Sequence, residues 1–301
     1  MRLFDTHTHI QSSKFDGDRD AMLARAREAG LAGQLVLGWD VASSEQAVTL
    51  AEAQTGILAA SGCHPHDARD MDEPSWERLT ELARDPRVAV IGEIGLDFYR
   101  NLSPRETQLQ VFSRQLDLAA EVAKPVAIHC REAEETLFPL VEAWSRRLDG
   151  RLADGRPLGV MHYFSGDIDL AERYVELGFA ISIHTSVTYP NAQRLQEVAR
   201  RLDLSTLVVE TDSPYGPPQS HRGKRNEPAY VAEAVAKVAE LRGEPAHQVA
   251  EATTENAERL FASGRRRQPR RACKCREASE RQRGARHARG FHTRARAGRA
   301  S

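Results

Sequence analysis

A single α/β domain of the (β/α)₈ barrel (TIM barrel) type is what this 301-residue chain predicts, and three observations carry the prediction. Short apolar, often β-branched runs alternate with amphipathic segments through residues 1–263. Eight such runs occur, and eight strand–helix units fit the roughly 250 residues usual for such a barrel. Histidines and carboxylates stand at the C-terminal ends of the runs, the face on which these barrels carry their chemistry. A doubly wound open sheet is the alternative, because periodicity fixes the alternation of elements but not the closure of the sheet.

The runs read as strands are Leu3 to His7, Gln34 to Gly38, Ile57 to Ser61, Val88 to Glu93, Pro125 to His129, Leu158 to His162, Phe179 to Ile183 and Leu207 to Glu210. The first continues as DTHTHI. Successive strand side chains alternate faces, so His7 and His9 point to one side and form half of a divalent-metal site. Cys63-His64-Pro65-His66 follows the third run, Glu93 ends the fourth, His129 the fifth, His162 the sixth, and Asp212 follows the eighth. Each alone has an ordinary explanation as a helix cap or a core histidine; together they converge on one rim. Between the runs, Leu109, Phe112, Leu116 and Ala119 recur at helical spacing, and that helix has Ser103 as an N-cap, Pro104 in the first turn and Glu106 to complete a capping box. Two helices, Ala229 to Leu241 and Pro245 to Phe261, close the body.

Charge divides the chain. It holds 42 Lys/Arg and 43 Asp/Glu, yet 14 of the bases and only Glu277 and Glu280 of the acids lie in residues 264–301, leaving 28 against 41 before them. With Phe291 its only large apolar residue, the Arg-rich tail has nothing to bury and is expected to be disordered. It reads either as a nonspecific nucleic-acid arm or as an extension without a role. No apolar run approaches the roughly 20 residues that span a bilayer. A candidate ligand as early as His7 argues against a cleaved leader, so no membrane association and a cytoplasmic location are expected. Four cysteines, Cys63, Cys130, Cys273 and Cys275, are too few for a disulfide scaffold and read as reduced thiols.

Seven motifs, DTHTH, GCHPH, GEIGLDFYR, PVAIHCREA, GVMHYFSG, ETDSPYGPP and HRGKRNEP, resemble in order and wording the TatD-type metal-dependent hydrolases of the amidohydrolase-like superfamily. The resemblance runs from Arg2 to about Ala262 and implies a (β/α)₈ barrel with deoxyribonuclease or 3′-exonuclease activity on DNA, as single strands or 3′ ends. Carried over residue by residue, it implies His7, His9, Glu93 and Asp212 as ligands of one divalent ion and Glu93, His129 and His162 as ligands of a second. The ions would be Zn, Mn or Mg.

The chemistry of these residue types agrees. One carboxylate can bridge two cations about 3.5 to 4 Å apart, and such a pair lowers the pKa of water from about 15.7 toward about 7, giving a hydroxide nucleophile at neutral pH. Where related enzymes use a carboxylated lysine as the bridge, the GEIG motif offers Glu93. Asp212 would orient the water and accept its proton. Arg100, Arg131, Arg222, Lys224 and Arg225 lie in or beside the motifs and suit phosphate clamping, since guanidinium forks pair with phosphate oxygens. His64 and His66 are read as substrate contacts or supports of the ligands. Tyr99 and Phe164 could stack on a base, with core packing the expected use of both. Glu210 and Thr211 are expected to fix Asp212, Cys130 to point away from the rim, and His184-Thr185 to narrow the pocket or add a polar contact there. A small-molecule amide, ester or phosphoester hydrolase using the same two-metal site is the alternative function, since a fold does not decide a function.

Overall fold

The computed structural model describes residues 1–261. The strands are β1 (Leu3–Thr8), β2 (Leu31–Leu37), β3 (Ile57–Ser61), β4 (Val88–Asp97), β5 (Val126–Arg131), β6 (Gly159–Met161), β7 (Phe179–His184) and β8 (Leu207–Glu210). They are parallel and bonded in sequence order, so every connection is a local crossover. The helices are α1 (Arg19–Glu28), α2 (Val41–Ala53), α3 (Glu73–Arg84), α4 (Arg105–Glu121), α5 (Glu134–Arg147), α6 (Ile168–Glu176), α7 (Gln193–Arg201), α8 (Val231–Arg242) and α9 (Ala246–Phe261).

The open-sheet alternative is settled at the seam between β8 and β1. Asp212 N donates to His7 O at 2.9 Å, His9 N donates to Ser213 O at 2.7 Å, and Thr8 and Ser213 form a parallel bridge. Side chains continue the closure inward. Thr6 Oγ1 donates to Val209 O at 3.0 Å, and the buried Asp5 carboxylate accepts from Thr211 N at 2.9 Å and Thr211 Oγ1 at 2.6 Å. Burial pushes the Asp5 carboxyl up to about 8 against the hydrogen bonds from Thr211.

Every strand contributes to one apolar cluster, Phe4, Leu35, Ala60, Val90, Ala127, Val160, Ala180 and Val208 among them, and this is the barrel interior. Ala257, Leu260 and Phe261 of α9 join it, with the Phe261 ring 5.8 Å from that of Phe4. Phe4 stands near the start of β1, so α9 closes the end of the barrel opposite the strand C-termini. Burying a ring of this size stabilises by about 1.5–3 kcal/mol. The opposite strand faces, with Ile91, Ile128, Ile181 and Val209, pack on the helices.

Helix starts are marked by acids: Asp40 accepts from Ser43 N in a full capping box, and Asp72 and Asp167 cap α3 and α6. The capping box expected at Ser103 does not form. Pro104 takes the N-cap place of α4 without a side-chain bond, while Ser103 Oγ donates to His66 O at 2.7 Å and accepts from Arg69 N at 3.1 Å. The hydroxyl ties the loop after β3 to the loop after β4, which satisfies more buried backbone than a cap would. Strand β4 also runs past Glu93 to Asp97, because Ile94 to Asp97 stay buried and pair in register with Ile128 to Arg131 of β5. Strand β6 stops at Met161, leaving His162 just beyond it. Among the described residues no helix is long and apolar enough to cross a membrane.

Candidate metal centre

Two irregularities of the sheet aim the central residues. The β1–β2 register slips between Asp5 and Thr8, and the β4–β5 register slips between Ile91 and Ile94, so His7 and Glu93 each sit at a one-residue bulge. Bulges re-aim side chains and concentrate next to active sites. Two residues on, Gly95 has φ +147°, and a Cβ built there would stand 1.9 Å from His129 O. Only glycine lets β4 approach β5 this closely. Asp212 is left-handed at φ 61°, uncommon for a residue with a Cβ, as the chain leaves β8 and turns the carboxylate over the rim.

The two oxygens of Glu93 face different groups. Oε2 lies 3.3 Å from His7 Nε2 and 3.5 Å from His9 Nε2. Asp212 Oδ1 completes that side, 3.5 Å from His9 Nε2 and 3.9 Å from His7 Nε2. Oε1 lies 3.1 Å from His129 Nδ1, 3.5 Å from His64 Nε2 and 3.6 Å from His162 Nε2. A tetrahedral cation with bonds of about 2.0–2.2 Å needs donor atoms about 3.3–3.6 Å apart, so these spacings suit metal ligation. His7 and His9 bring their Nε2 atoms to 3.2 Å, a contact two lone pairs make only with a cation or a proton between them. The donor set therefore fits divalent metal.

The expected residues are brought together, with one change of grouping. His129 and His162 both border Oε1, but their rings are 6.4 Å apart, while His162 stacks on His7 at 3.3 Å. The tight donor groups are His7-Glu93-His162, His7-His9-Asp212 and His64-Glu93-His129. His64, read from sequence as a substrate contact or support, thus stands among the donors.

Burial and charge act against each other here. Burial drives the His9 imidazole down, but Asp212 and Glu93 outweigh it and raise it to about 10; Asp97 and Glu93 likewise raise His129 to about 9 against burial. Burial raises the Glu93 carboxyl, yet His64, His7, His162 and His129 hold it well below the carboxylate range.

Three supports lie behind the donors. Asp97 Oδ2 lies 3.2 Å from His129 Nε2 and 2.9 Å from His66 Nε2, while Oδ1 accepts from Arg100 N at 2.8 Å and Tyr99 N at 3.1 Å. Glu210 Oε1 lies 2.9 Å from His162 Nδ1 and accepts from Tyr163 N at 2.8 Å. His9 Nδ1 lies 3.1 Å from Leu37 O. The expectation that Glu210 and Thr211 fix Asp212 is therefore corrected: Glu210 holds His162, and Thr211 holds Asp5, because successive residues leaving β8 point to opposite sides. Sequence reading missed Asp97 by ending β4 at Glu93; on the longer strand, Glu93, Gly95 and Asp97 share one face.

The cations divide. Arg225 places both amino groups on Asp18, at 2.6 and 2.8 Å, and lies over the Phe15 ring, so its guanidinium is already occupied. Arg131 lies 3.9 Å from the centre of the Tyr99 ring, and Arg222 lies 5.7 Å from that of Tyr189. Arg100, Arg131 and Lys224 are exposed. Phe164 is buried in the core as expected, but Tyr99 is not, being 55% exposed. His184 stacks on Tyr163 at 3.7 Å and touches Ser186 Oγ, and Thr185 Oγ1 donates to Gly216 O at 2.5 Å. Cys63 is buried, and Cys130 packs against the apolar shell as expected. The Arg-rich tail lies outside the described residues.

A parallel barrel with imidazole and carboxylate donors converging at its C-terminal rim defines a metal-dependent hydrolase. The chain belongs to the family described as TatD related DNase, whose model matches residues 4–262. It is 37% identical over 259 residues to the metal-dependent hydrolase YabD of Bacillus subtilis (strain 168), covering 86% of this chain and 98% of that protein. It is 36% identical over 264 residues to the 3′-5′ ssDNA/RNA exonuclease TatD of Klebsiella pneumoniae (strain 342), covering 86% and 97%. Among solved structures, the TatD homolog YJJV of Escherichia coli K12 superposes with a TM-score of 0.80 at 34% identity, over 87% of this chain and 98% of that one.

Proposed function

We propose that this protein is a two-metal exonuclease that removes nucleotides from the 3′ ends of single-stranded nucleic acid. The observation that carries this reading is the division of Glu93, whose two oxygens face separate donor groups at bonding spacing. His7, His9, Glu93 and Asp212 would hold one cation, and Glu93, His129 and His162, with His64 alongside, the other. Zn, Mn and Mg all accept imidazole and carboxylate donors, Mg least readily. Bound there, divalent ions supply Lewis acidity and offset the phosphodiester charge.

The chain's own groups do the rest. Asp212, the most exposed of the carboxylates at the centre with 14% of its side chain accessible, reaches the attacking water and takes its proton. Glu210 and Asp97 keep His162 and His129 oriented, which preserves donor geometry through the cycle. Arg131 and Lys224, both exposed, would meet phosphate oxygens. The relatives named as 3′-5′ ssDNA/RNA exonucleases support the polarity and the single-stranded substrate.

The test is release of mononucleotides from a 5′-labelled single-stranded oligonucleotide with Mn, Zn or Mg added in turn. The wild type is expected to shorten the label stepwise from the 3′ end and Glu93→Ala to leave it intact. Turnover of small esters or amides without nucleotide release would instead support a small-molecule hydrolase.

A further inference from the structure

Among the described residues, two large aromatic side chains are mainly exposed, Tyr99 at 55% and Tyr215 at 51%. Both are on rim loops, and each is tied to a different side of the centre. Tyr99 N donates to Asp97, whose other oxygen faces His129 and His66. Tyr215 N donates to Asp212 O at 2.8 Å, and its ring lies 6.2 Å from that of His9 at 70°. The Tyr99 side is thus the Oε1 side of Glu93, and the Tyr215 side is the Oε2 side.

Each ring also carries a cation. Arg131 Cζ is 3.9 Å from the Tyr99 centroid, and Lys14 Nζ is 4.2 Å from that of Tyr215. Arg131 and Lys14 come from opposite parts of the chain, the end of β5 and the loop after β1, so one local sequence motif does not account for both. A half-exposed ring with a cation beside it offers a nucleotide both things it has to bind: a stacking surface for the base and a positive charge for its phosphate.

Resting on the exonuclease reading above, we propose that Tyr99–Arg131 and Tyr215–Lys14 are two nucleotide subsites flanking the cations, so that the scissile phosphate is held between two stacked bases. Single strands are then preferred because a base inside a duplex has no free face to offer. Binding also tolerates any sequence, since every base presents a π-face.

The test uses the full-length, metal-loaded chain and single-stranded oligothymidylates of two to eight nucleotides, with an abasic oligonucleotide of equal length as control. Tyr99→Ala and Tyr215→Ala are each expected to raise KM for the oligothymidylates roughly 5- to 100-fold, the range that loss of one base–aromatic stack gives. The effect on kcat is smaller, and Tyr99→Phe and Tyr215→Phe restore KM because the ring, not the hydroxyl, is what stacks. With the abasic oligonucleotide, wild type and alanine variants should show the same high KM. Wild-type KM in both alanine variants, failure of phenylalanine to restore what alanine loses, or equal wild-type KM for abasic and normal strands overturns the subsites while leaving the exonuclease reading intact. Wild type that shortens no oligonucleotide with any of the three metals overturns the exonuclease reading itself, and the subsites with it.

Discussion

Glu210 Oε1 stands 2.9 Å from His162 Nδ1, on the ring edge away from the Nε2 that faces Glu93. A carboxylate there fixes which nitrogen carries the proton and which is free to ligate. Burial raises the Glu210 carboxyl, but His162 outweighs it and lowers it to about 2, so the group is ionised at any working pH. Glu210→Gln keeps the volume and loses the charge. Metal affinity, measured by competition with a chromogenic chelator, is expected to fall about 10- to 100-fold, with activity partly restored by excess metal.

Asp97 holds His129 and His66 with one oxygen and the Tyr99 and Arg100 amides with the other. In Asp97→Asn either the two histidines or the two backbone amides lose their acceptor, since an amide nitrogen cannot accept. We expect a loss of about 1–3 kcal/mol in stability from the unmatched buried groups, read by denaturant titration, together with weaker metal binding.

Removing metal leaves only a proton on His9 to hold the His7 and His9 Nε2 atoms at 3.2 Å and to offset the charge of Glu93 and Asp212. Chelation should lower the melting temperature and adding metal back should restore it, each ion stabilising the fold by about 2.7 kcal/mol when its free concentration exceeds its Kd a hundredfold. Metal analysis should give two ions per wild-type chain and at most one for Glu93→Ala.

Gly95 tests the approach of β4 to β5. In Gly95→Ala the methyl group meets His129 O and the backbone is held at φ +147°. Because both strain and displacement of His129 follow, folding yield or melting temperature should drop and activity should fall with it. A variant as stable and active as wild type would show that the strands separate without cost.

Burial lowers the His184 imidazole to about 4, so it is neutral in the folded chain, while in the unfolded chain it protonates near its ordinary value of about 6.5. Its contribution to stability is complete above pH 6.5, is lost as the pH falls from 6.5 toward 4, and levels off below that, by up to about 3 kcal/mol. Stability measured across that range should decline less steeply in His184→Asn than in wild type, even though the variant loses the stack on Tyr163 and starts lower.

Much of the centre is legible in the sequence because its ligands are strand-terminal residues. His7, Glu93, His129 and His162 end apolar runs whose alternation fixes their face, and a parallel barrel brings all such ends to one rim. The strands at Ile57–Ser61 and Leu207–Glu210 are found with their observed limits for the same reason. Ser103 marks the opposite situation. Its sequence context is that of a helix cap, yet a distant carbonyl, His66 O, competes successfully for its hydroxyl.

By itself the sequence determined the alternation of elements, the set of metal-binding residue types and the family, because side-chain chemistry and period are local properties. Tertiary structure alone decided the closure of β8 on β1, which partner each support takes, the engagement of Arg225 by Asp18 and the exposure of Tyr99 and Tyr215. Each of these depends on distances between residues far apart in the chain, which no local pattern encodes.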